Sequence, residues 1–333
     1  MSLEHSTHRL NWFSRSLALG LAVLVASAGC DTNRRVSKSP DFAEDLVMAG
    51  DAAIMRGDRE AALRQFALAI EVNPRLTRAH MGMGDLYRLD GDFEKAEKSY
   101  NNAASVEPAN FDAQYFHGLM LHLLNRFSEA ISAYLRALRL RPDNFEANLN
   151  LATAYYQLNE PSQALPFAES AVKINPRSGA ARLNLGVVYA GLDRHRDAVA
   201  EYQQAAELMD LTPQLLLNLA DSLGRLQRYE EMRNTLDQLI KSQPSAAAFE
   251  RQGFALFRLT QYADARAAFE QSLQLDPNYF PALNGLGVSE LNTFLWSDRK
   301  DNAAKERALA ALRRSLAISR NQPRIEELLT RYK

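Results

Sequence analysis

Three asparagines, Asn150, Asn184 and Asn218, follow one another at equal intervals along the chain. A side-chain amide carries both a donor and an acceptor, so a row of amides on one surface can bind the backbone of an extended peptide without reading its sequence. Asparagine is also tolerated on a half-exposed helix that binds nothing. The spacing therefore supports a peptide-binding hypothesis and a purely structural one.

Other residues are poorly placed for catalysis or metal binding. His117 and His122 are five residues apart, which points them to different faces of a helix, whereas a helical zinc site uses histidines at i and i+4. Asp90-Gly91-Asp92 lacks the rest of a calcium-binding loop. No local motif pairs a nucleophile with a base, and Cys30 is the only cysteine. We predict a protein that is not an enzyme and has no catalytic residue, metal or cofactor.

Residues 1–29 have the layout of a secretory signal peptide. Arg9 and Arg15 precede an uncharged run, residues 16–29, which is rich in small and apolar side chains. This run is too short for a comfortable membrane span, which needs about 20 apolar residues. A basic start, an apolar middle and a small-residue exit are typical of export signals.

Residues 26–30, Ala-Ser-Ala-Gly-Cys, resemble a bacterial lipobox, although Ser27 stands where leucine is usual. The resemblance implies cleavage before Cys30, lipidation of its thiol and a polar tether over residues 30–42. The protein would then be anchored in the bacterial cell envelope on the extracytoplasmic side, in the inner or the outer membrane. Two alternatives remain: ordinary signal peptidase cuts after Ala28 and releases the protein, or the segment stays uncleaved as an anchor.

The asparagines belong to a longer pattern of repeated units. The prolines that mark the first four units are spaced by the same interval as the asparagines: Pro74, Pro108, Pro142 and Pro176. Within each unit, apolar residues at helical spacing predict two amphipathic helices, joined by a polar turn in which residues such as Asp58 and Asp92 cap the second helix. Small residues at positions 8, 20 and 27 permit close helix packing, and an aromatic residue at position 24 fills the gap. The proline is expected to begin the next helix.

This signature resembles the tetratricopeptide repeat family over residues 43–319. The resemblance implies an all-α, right-handed α-solenoid of about eight helix-turn-helix repeats, stacked around a shared core. The units are 43–76, 77–110, 111–144, 145–178, 179–212, 213–245, 246–279 and an atypical 280–319. Residues 320–333 carry an apolar stripe and predict a C-terminal capping helix.

Two units depart from the pattern. Unit six has Met232 and Leu239 where small residues are usual, which predicts that its helices pack less closely. Unit eight carries about nine extra residues around 297–305 by comparison with the usual repeat length. Trp296, at the start of this insertion, is expected to cover the end of the solenoid, or alternatively to anchor a partner.

In tetratricopeptide solenoids the first helix of each unit lines the concave face. The resemblance therefore places Asn150, Asn184 and Asn218 in a groove, where they are similar to the asparagine ladder of the O-GlcNAc transferase repeat domain. It places four aromatic residues on the same face: Tyr115, Tyr156, Phe254 and Phe257. Position 5 carries no basic residue in units one to five, which argues against a clamp for the C-terminal carboxylate of a chaperone.

These features predict a scaffold that is tethered to a membrane by lipid and binds peptides or proteins in its groove, helping to assemble an envelope, secretion or pilus complex. The net charge of −1 argues against a nucleic-acid partner, and no small-molecule substrate is indicated. Two alternatives are a substrate-recruiting subunit of a separate glycosyltransferase-like enzyme and a soluble secreted binding module.

Overall fold

The computed structural model describes residues 40–333, and Cys30 lies outside them. The described residues form seventeen α-helices and no strand. The first helices of eight pairs are α1 Pro40–Met55, α3 Thr77–Leu89, α5 Phe111–Leu123, α7 Phe145–Gln157, α9 Gly179–Gly191, α11 Pro213–Arg225, α13 Ala246–Arg258 and α15 Phe280–Trp296. The second helices are α2 Arg59–Val72, α4 Phe93–Val106, α6 Phe127–Leu140, α8 Pro161–Ile174, α10 His195–Leu208, α12 Tyr229–Ser242, α14 Tyr262–Leu275 and α16 Asn302–Ile318, and α17 is Pro323–Arg331.

The turn inside each of the first seven pairs has one residue in the left-handed region of backbone conformation. Glycine, which has no Cβ to clash there, occupies this place only in the first two units, at Gly57 and Gly91. The later units place other residues there: Asn125, Asn159, Asp193, Gln227 and Thr260. Next to the glycines, Asp58 and Asp92 accept hydrogen bonds from backbone N–H groups of the second helix, at 2.9 and 3.2 Å. The predicted N-caps are confirmed.

An aromatic ring from the second helix of a unit packs against a glycine of the first helix. The pairs are Gly50 with Phe66, Gly84 with Tyr100, Gly118 with Tyr134, Gly186 with Tyr202 and Gly253 with Phe269. A Cβ on any of these glycines would lie 2.5 to 2.8 Å from the ring, closer than atoms can pack. Unit four uses Ala152 and Ala168 at the same two positions, both fully buried. The roles expected for positions 8 and 24 are confirmed.

The repeated prolines do not begin the next helix, which corrects the expectation from sequence. Pro74 lies three residues before α3 begins at Thr77. Its ring prevents the preceding helix from continuing, while its carbonyl accepts a hydrogen bond from the fourth residue of the next first helix. The pairs and their distances are His80 with Pro74, 2.9 Å; Gln114 with Pro108, 3.3 Å; Asn148 with Pro142, 2.9 Å; and Arg182 with Pro176, 2.9 Å. Pro213 begins α11 directly, as Pro40 begins α1, and Leu216, the fourth residue of α11, has no side-chain donor for such a bond.

Unit six is the most loosely packed pair, as its large side chains predict. The backbones of α11 and α12 approach each other over a shorter stretch than those of any other pair. Met232 and Leu239 are buried between neighbouring helices. The Met232 sulfur packs against Gly224, and a Cβ added to that glycine would lie 3.0 Å from the sulfur. Bulky residues therefore fill the space that direct helix contact fills elsewhere.

Most of the extra residues of unit eight do not form an inserted loop. They lengthen α15 and α16 to 17 residues each, against 13 in α13 and 14 in α14. Trp296 is the last residue of α15, is 72% exposed and packs edge-on against Tyr262 of the preceding unit at 5.1 Å. The expectation that Trp296 covers the end of the solenoid is wrong. The end is covered by α17, where Ile325 is buried against Leu291 and Leu312.

The first helices lie on the inside of the curve. Neighbouring first helices contact one another, as α7 does α9 and α13 does α15, and the second helices of the described units make no comparable contact. When only the first helices of neighbouring units touch, the row of units must curve with its first helices on the inside. This agrees with what the resemblance implied. None of the described helices is both long and apolar enough to cross a membrane.

Candidate functional site

A cavity with a volume of about 590 Å³, called the large cavity, lies between α7, α9 and α11 on the concave face. Its walls contain all three predicted asparagines together with Tyr156. Apolar contact surface comes from Leu149, Leu183, Val187 and Ala190. This combination of apolar walls with a few polar groups is typical of peptide-binding grooves.

The three amides are partly engaged inside the protein. Asn150 Nδ2 donates to the Tyr115 hydroxyl at 3.1 Å, and Asn184 Nδ2 donates to Thr153 Oγ1 at 2.8 Å. Asn218 Oδ1 accepts from Gln214 at 2.7 Å. The first two bonds join neighbouring units, so these side chains also stabilise the stack.

What remains for a ligand differs between the three positions. Asn150 keeps its carbonyl oxygen and Asn218 keeps its amide N–H groups free of hydrogen bonds from the described residues. Asn184 Oδ1 is buried without a hydrogen-bond partner in the described part of the chain, so Asn184 would have to turn before it could meet a peptide. The groove thus offers an acceptor from α7 and a donor from α11, rather than a continuous ladder.

The two predicted tyrosines, Tyr156 and Tyr115, have different positions relative to the large cavity. Tyr156 is 37% exposed and lines the large cavity. Tyr115 packs against Phe116 at 5.2 Å and Tyr134 at 6.0 Å, and burial raises the pKa of its hydroxyl, which hydrogen-bonds to Asn150. Tyr115 therefore supports Asn150 and does not itself form a wall of the cavity.

Two residues of the cavity were missed by sequence reasoning, because the resemblance assigns the groove to first helices alone. His195 and Tyr202 come from α10, a second helix, and both line the cavity. Burial raises the pKa of the Tyr202 hydroxyl. A signal was available for His195, because position 17 carries a ring in several units, as at Phe93, Phe127 and Tyr229.

Two further cavities continue the groove from α11 to α15. The middle one, about 410 Å³, shares Asp221 and Arg225 with the large cavity. It shares Glu250 and Phe254 with the last one, about 380 Å³, which also contains Phe257. Phe254 and Phe257 therefore line the same groove as the asparagines but lie at a different part of it.

Two of the charged residues that line the groove pair with each other. Arg251 binds Asp221 through two hydrogen bonds of 2.6 and 3.0 Å, and this bond raises the pKa of Arg251. In the first two units, Arg78 contacts Glu44 at 3.1 Å and Asp51 at 3.0 Å. Within residues 40–333 no three His, Cys, Asp or Glu side chains are grouped so that they could hold a metal ion.

Family models place this architecture in a known class. Models of the tetratricopeptide repeat match residues 47–105, 149–214, 214–246 and 246–279, and a TPR repeat model matches residues 118–159. The chain belongs to the tetratricopeptide repeat proteins, an all-α solenoid fold found in protein-interaction scaffolds. No curated protein matches the chain.

Three solved structures are similar in fold. A tetratricopeptide repeat protein from Parabacteroides merdae is 22% identical, with a TM-score of 0.57 over 77% of this chain and 98% of that one. Pseudomonas aeruginosa pilF is 19% identical, with a TM-score of 0.50 over 61% and 93%. The Cut9–Hcn1 hetero-tetramer of APC/C contains a chain that is 20% identical, with a TM-score of 0.56 over 88% and 58%. At these identities the likeness concerns the fold alone.

Proposed function

We propose that this protein is a scaffold without catalytic activity of its own, which binds a peptide segment of partner proteins in the groove of units four to eight. The observation that carries the proposal is the continuity of the three cavities, which share residues from α7 to α15. A continuous groove of this kind suits an extended or helical segment better than a compact small molecule.

The contacts available in the large cavity define how such a segment binds. Leu149, Leu183 and Val187 present apolar surface, and Tyr156 presents a half-buried ring with a hydroxyl. The free Asn150 carbonyl and the free Asn218 amide can pair with a peptide N–H and a peptide C=O. Affinity then comes from apolar burial and register from the two amides.

A photo-crosslinking amino acid at Tyr156 tests this proposal in the cells that make the protein. The matched control is the same amino acid at Leu68 on α2, a second helix, where the side chain is 45% exposed. We expect discrete crosslinked proteins from position 156 and none of the same proteins from position 68. The same products from both positions, or none from position 156, would contradict groove binding.

Variants of the asparagines separate binding from stability. Asn218→Ala should reduce the crosslinked products and leave thermal unfolding unchanged, because among the described residues the Asn218 side chain bonds only to Gln214 of the same helix. Asn184→Ala should lower the unfolding temperature, because it removes the bond to Thr153 between units. If Asn218→Ala does not reduce crosslinking, the amide has no part in binding.

We further propose that Cys30 carries a lipid, which tethers the scaffold to a membrane on the extracytoplasmic side of a bacterial envelope, where it would help to assemble envelope, secretion or pilus complexes. The support is the sequence alone: the uncharged run 16–29 leads directly to the only cysteine.

Labelling with a fatty acid tests the lipid anchor. Label should enter the wild type and be absent from Cys30→Ser, and unchanged label in the variant would reject the anchor. Release of unlabelled protein cut after Ala28 would instead support the soluble secreted form.

A further inference from the structure

The cavity between α13 and α15 contains a carboxylate in an apolar setting. Its walls are formed largely by rings and aliphatic groups: Phe254, Phe257, Phe269, Pro281 and Val288. Glu250 also lines it, at position 5 of unit seven. In the other seven units position 5 is uncharged: Val47, Met81, Tyr115, Leu149, Leu183, Leu217 and Asn284.

Glu250 has no partner of its own among the described residues. Its carboxylate makes no hydrogen bond and no ion pair there, and its neighbour Arg251 is turned to Asp221. Burial raises the pKa of Glu250, and Arg251 opposes this rise only in part. Glu250 is half-buried, and a carboxylate in an apolar cavity without a donor is less stable than one that is paired.

The cations near Glu250 are already placed elsewhere. Arg258 lines the same cavity, but its guanidinium lies over the Tyr229 ring at 4.9 Å and the side chain is exposed. Arg225, at the far side of the middle cavity, is exposed as well. Water therefore screens both of these charges, and neither neutralises Glu250.

Glu250 is also positioned where a bound peptide must pass. Together with Phe254 it belongs to both the middle and the last cavity, so it lies at the junction of the groove. A cation at this point would meet the carboxylate, while the adjoining methylene groups would meet the rings of Phe254 and Phe257, which line the same cavity.

We propose that this cavity binds a lysine or arginine side chain of the partner segment, which pairs with Glu250 and packs along Phe254 and Phe257. The inference rests on the proposed function, because it takes the ligand to be a peptide in the groove. It adds a specificity that units four and five, whose position 5 is uncharged, cannot supply. The partner segment would carry one basic residue at a fixed distance from the residues bound between α7 and α11.

A random peptide library displayed on phage and selected on the immobilised full chain tests the proposal. The wild type should enrich peptides with lysine or arginine at one fixed position. Glu250→Gln should lose that preference, and Glu250→Lys should replace it with aspartate or glutamate. For a synthetic copy of an enriched peptide, calorimetry should show binding to Glu250→Gln weakened about tenfold, the effect of one charge-assisted hydrogen bond.

The control is Glu207→Gln, the same change at an exposed site on α10, which should leave both selection and affinity unchanged. Glu250→Gln should remain folded, since the amide has the shape of the carboxylate and the side chain loses no bond. Peptides that bind without a basic preference, or equally well to Glu250→Gln, overturn this inference and leave the scaffold function standing. A library without any binder overturns both.

Discussion

At the scale of single residues, the repeat places side chains that do not suit their backbone. Thr260 has a φ of 62°, in the left-handed region where a β-branched residue is strained. The equivalent residues of the first two units are glycines, Gly57 and Gly91. The turn geometry is therefore imposed by the packing of the two helices, and threonine is tolerated at a cost.

Replacing this threonine should stabilise the protein. Thr260→Gly is expected to raise the free energy of unfolding by about 1 kcal/mol, because glycine adopts this conformation without strain. Urea unfolding measures the change. Thr235→Gly, in the middle of α12, is the opposite control and should lower stability by a similar amount. A loss of stability in Thr260→Gly would show that threonine contacts outweigh the strain.

Two histidines of unit three, His117 and His122, should make stability depend on pH. Burial lowers the pKa of His122, whose ring packs edge-on against Phe127 at 5.3 Å. Burial also lowers the pKa of His117, although Glu97 acts against it. Since the folded state disfavours protonation, each contributes stability that is complete above the unfolded pKa of about 6.5 and is lost as pH falls below it.

Position 12 of unit seven supplies the variant that tests this. There Phe257 packs edge-on against Tyr262 at 5.2 Å, as His122 does against Phe127 in unit three. His122→Phe should therefore fold. It should lose less stability than the wild type when the pH falls from about 7 to about 5, a range that includes the reference pKa of histidine. Thermal unfolding at several pH values measures the difference. Parallel pH profiles would exclude a contribution from His122.

At the scale of helices, the unit is held together by a ring inserted against a glycine. The structure shows several solutions: glycine with an aromatic ring in five units, Ala152 with Ala168 in unit four, and Gly287 with Leu312 in unit eight. Each solution works only as a pair, because the ring needs the missing Cβ and the alanines fill the same space with two small groups.

This pairing predicts strong coupling in unit five. Gly186→Ala should destabilise the protein by about 1–3 kcal/mol, because its Cβ would lie 2.5 Å from the Tyr202 ring. Tyr202→Ala should cost about 3–5 kcal/mol through the cavity it leaves. The double variant, which copies unit four, should cost less than the sum of the two. Additive costs in urea unfolding would refute direct contact between the two positions.

At the scale of the whole molecule, stability is a sum over stacked units, and an open end exposes core residues. At the C-terminus, α17 covers Leu291 and Leu312, which are almost fully buried. A chain ending at Ser319 should unfold at a lower urea concentration and should associate in analytical ultracentrifugation. Thr330→Ala is the control within α17, since Thr330 bonds only to Glu326 of the same helix. A monomer of unchanged stability would show that α17 is dispensable.

The solenoid was predictable because its information is local and repeated. The helix pattern, the caps Asp58 and Asp92 and the pairing of glycines with rings all recur at fixed spacing, so each unit confirms the others. The role of the prolines could not be predicted from the sequence. The hydrogen bond from Asn148 to the Pro142 carbonyl joins a side chain to a turn whose shape the pattern does not specify. The lengthening of α15 and α16 escaped prediction for the same reason, since extra residues can extend helices or form a loop.

The sequence by itself determined the helical repeat, which follows from spacing along the chain, and the resemblance to the tetratricopeptide family indicated which residues share its concave face. Only the tertiary structure decided which of those residues are free to bind. It engaged Asn184 with Thr153 and drew His195 and Tyr202 of α10 into the groove, and within residues 40–333 it left Glu250 without a partner. The physical reason is that hydrogen bonds, burial and unpaired charge depend on neighbours from other units, whose distances the period of the repeat does not contain.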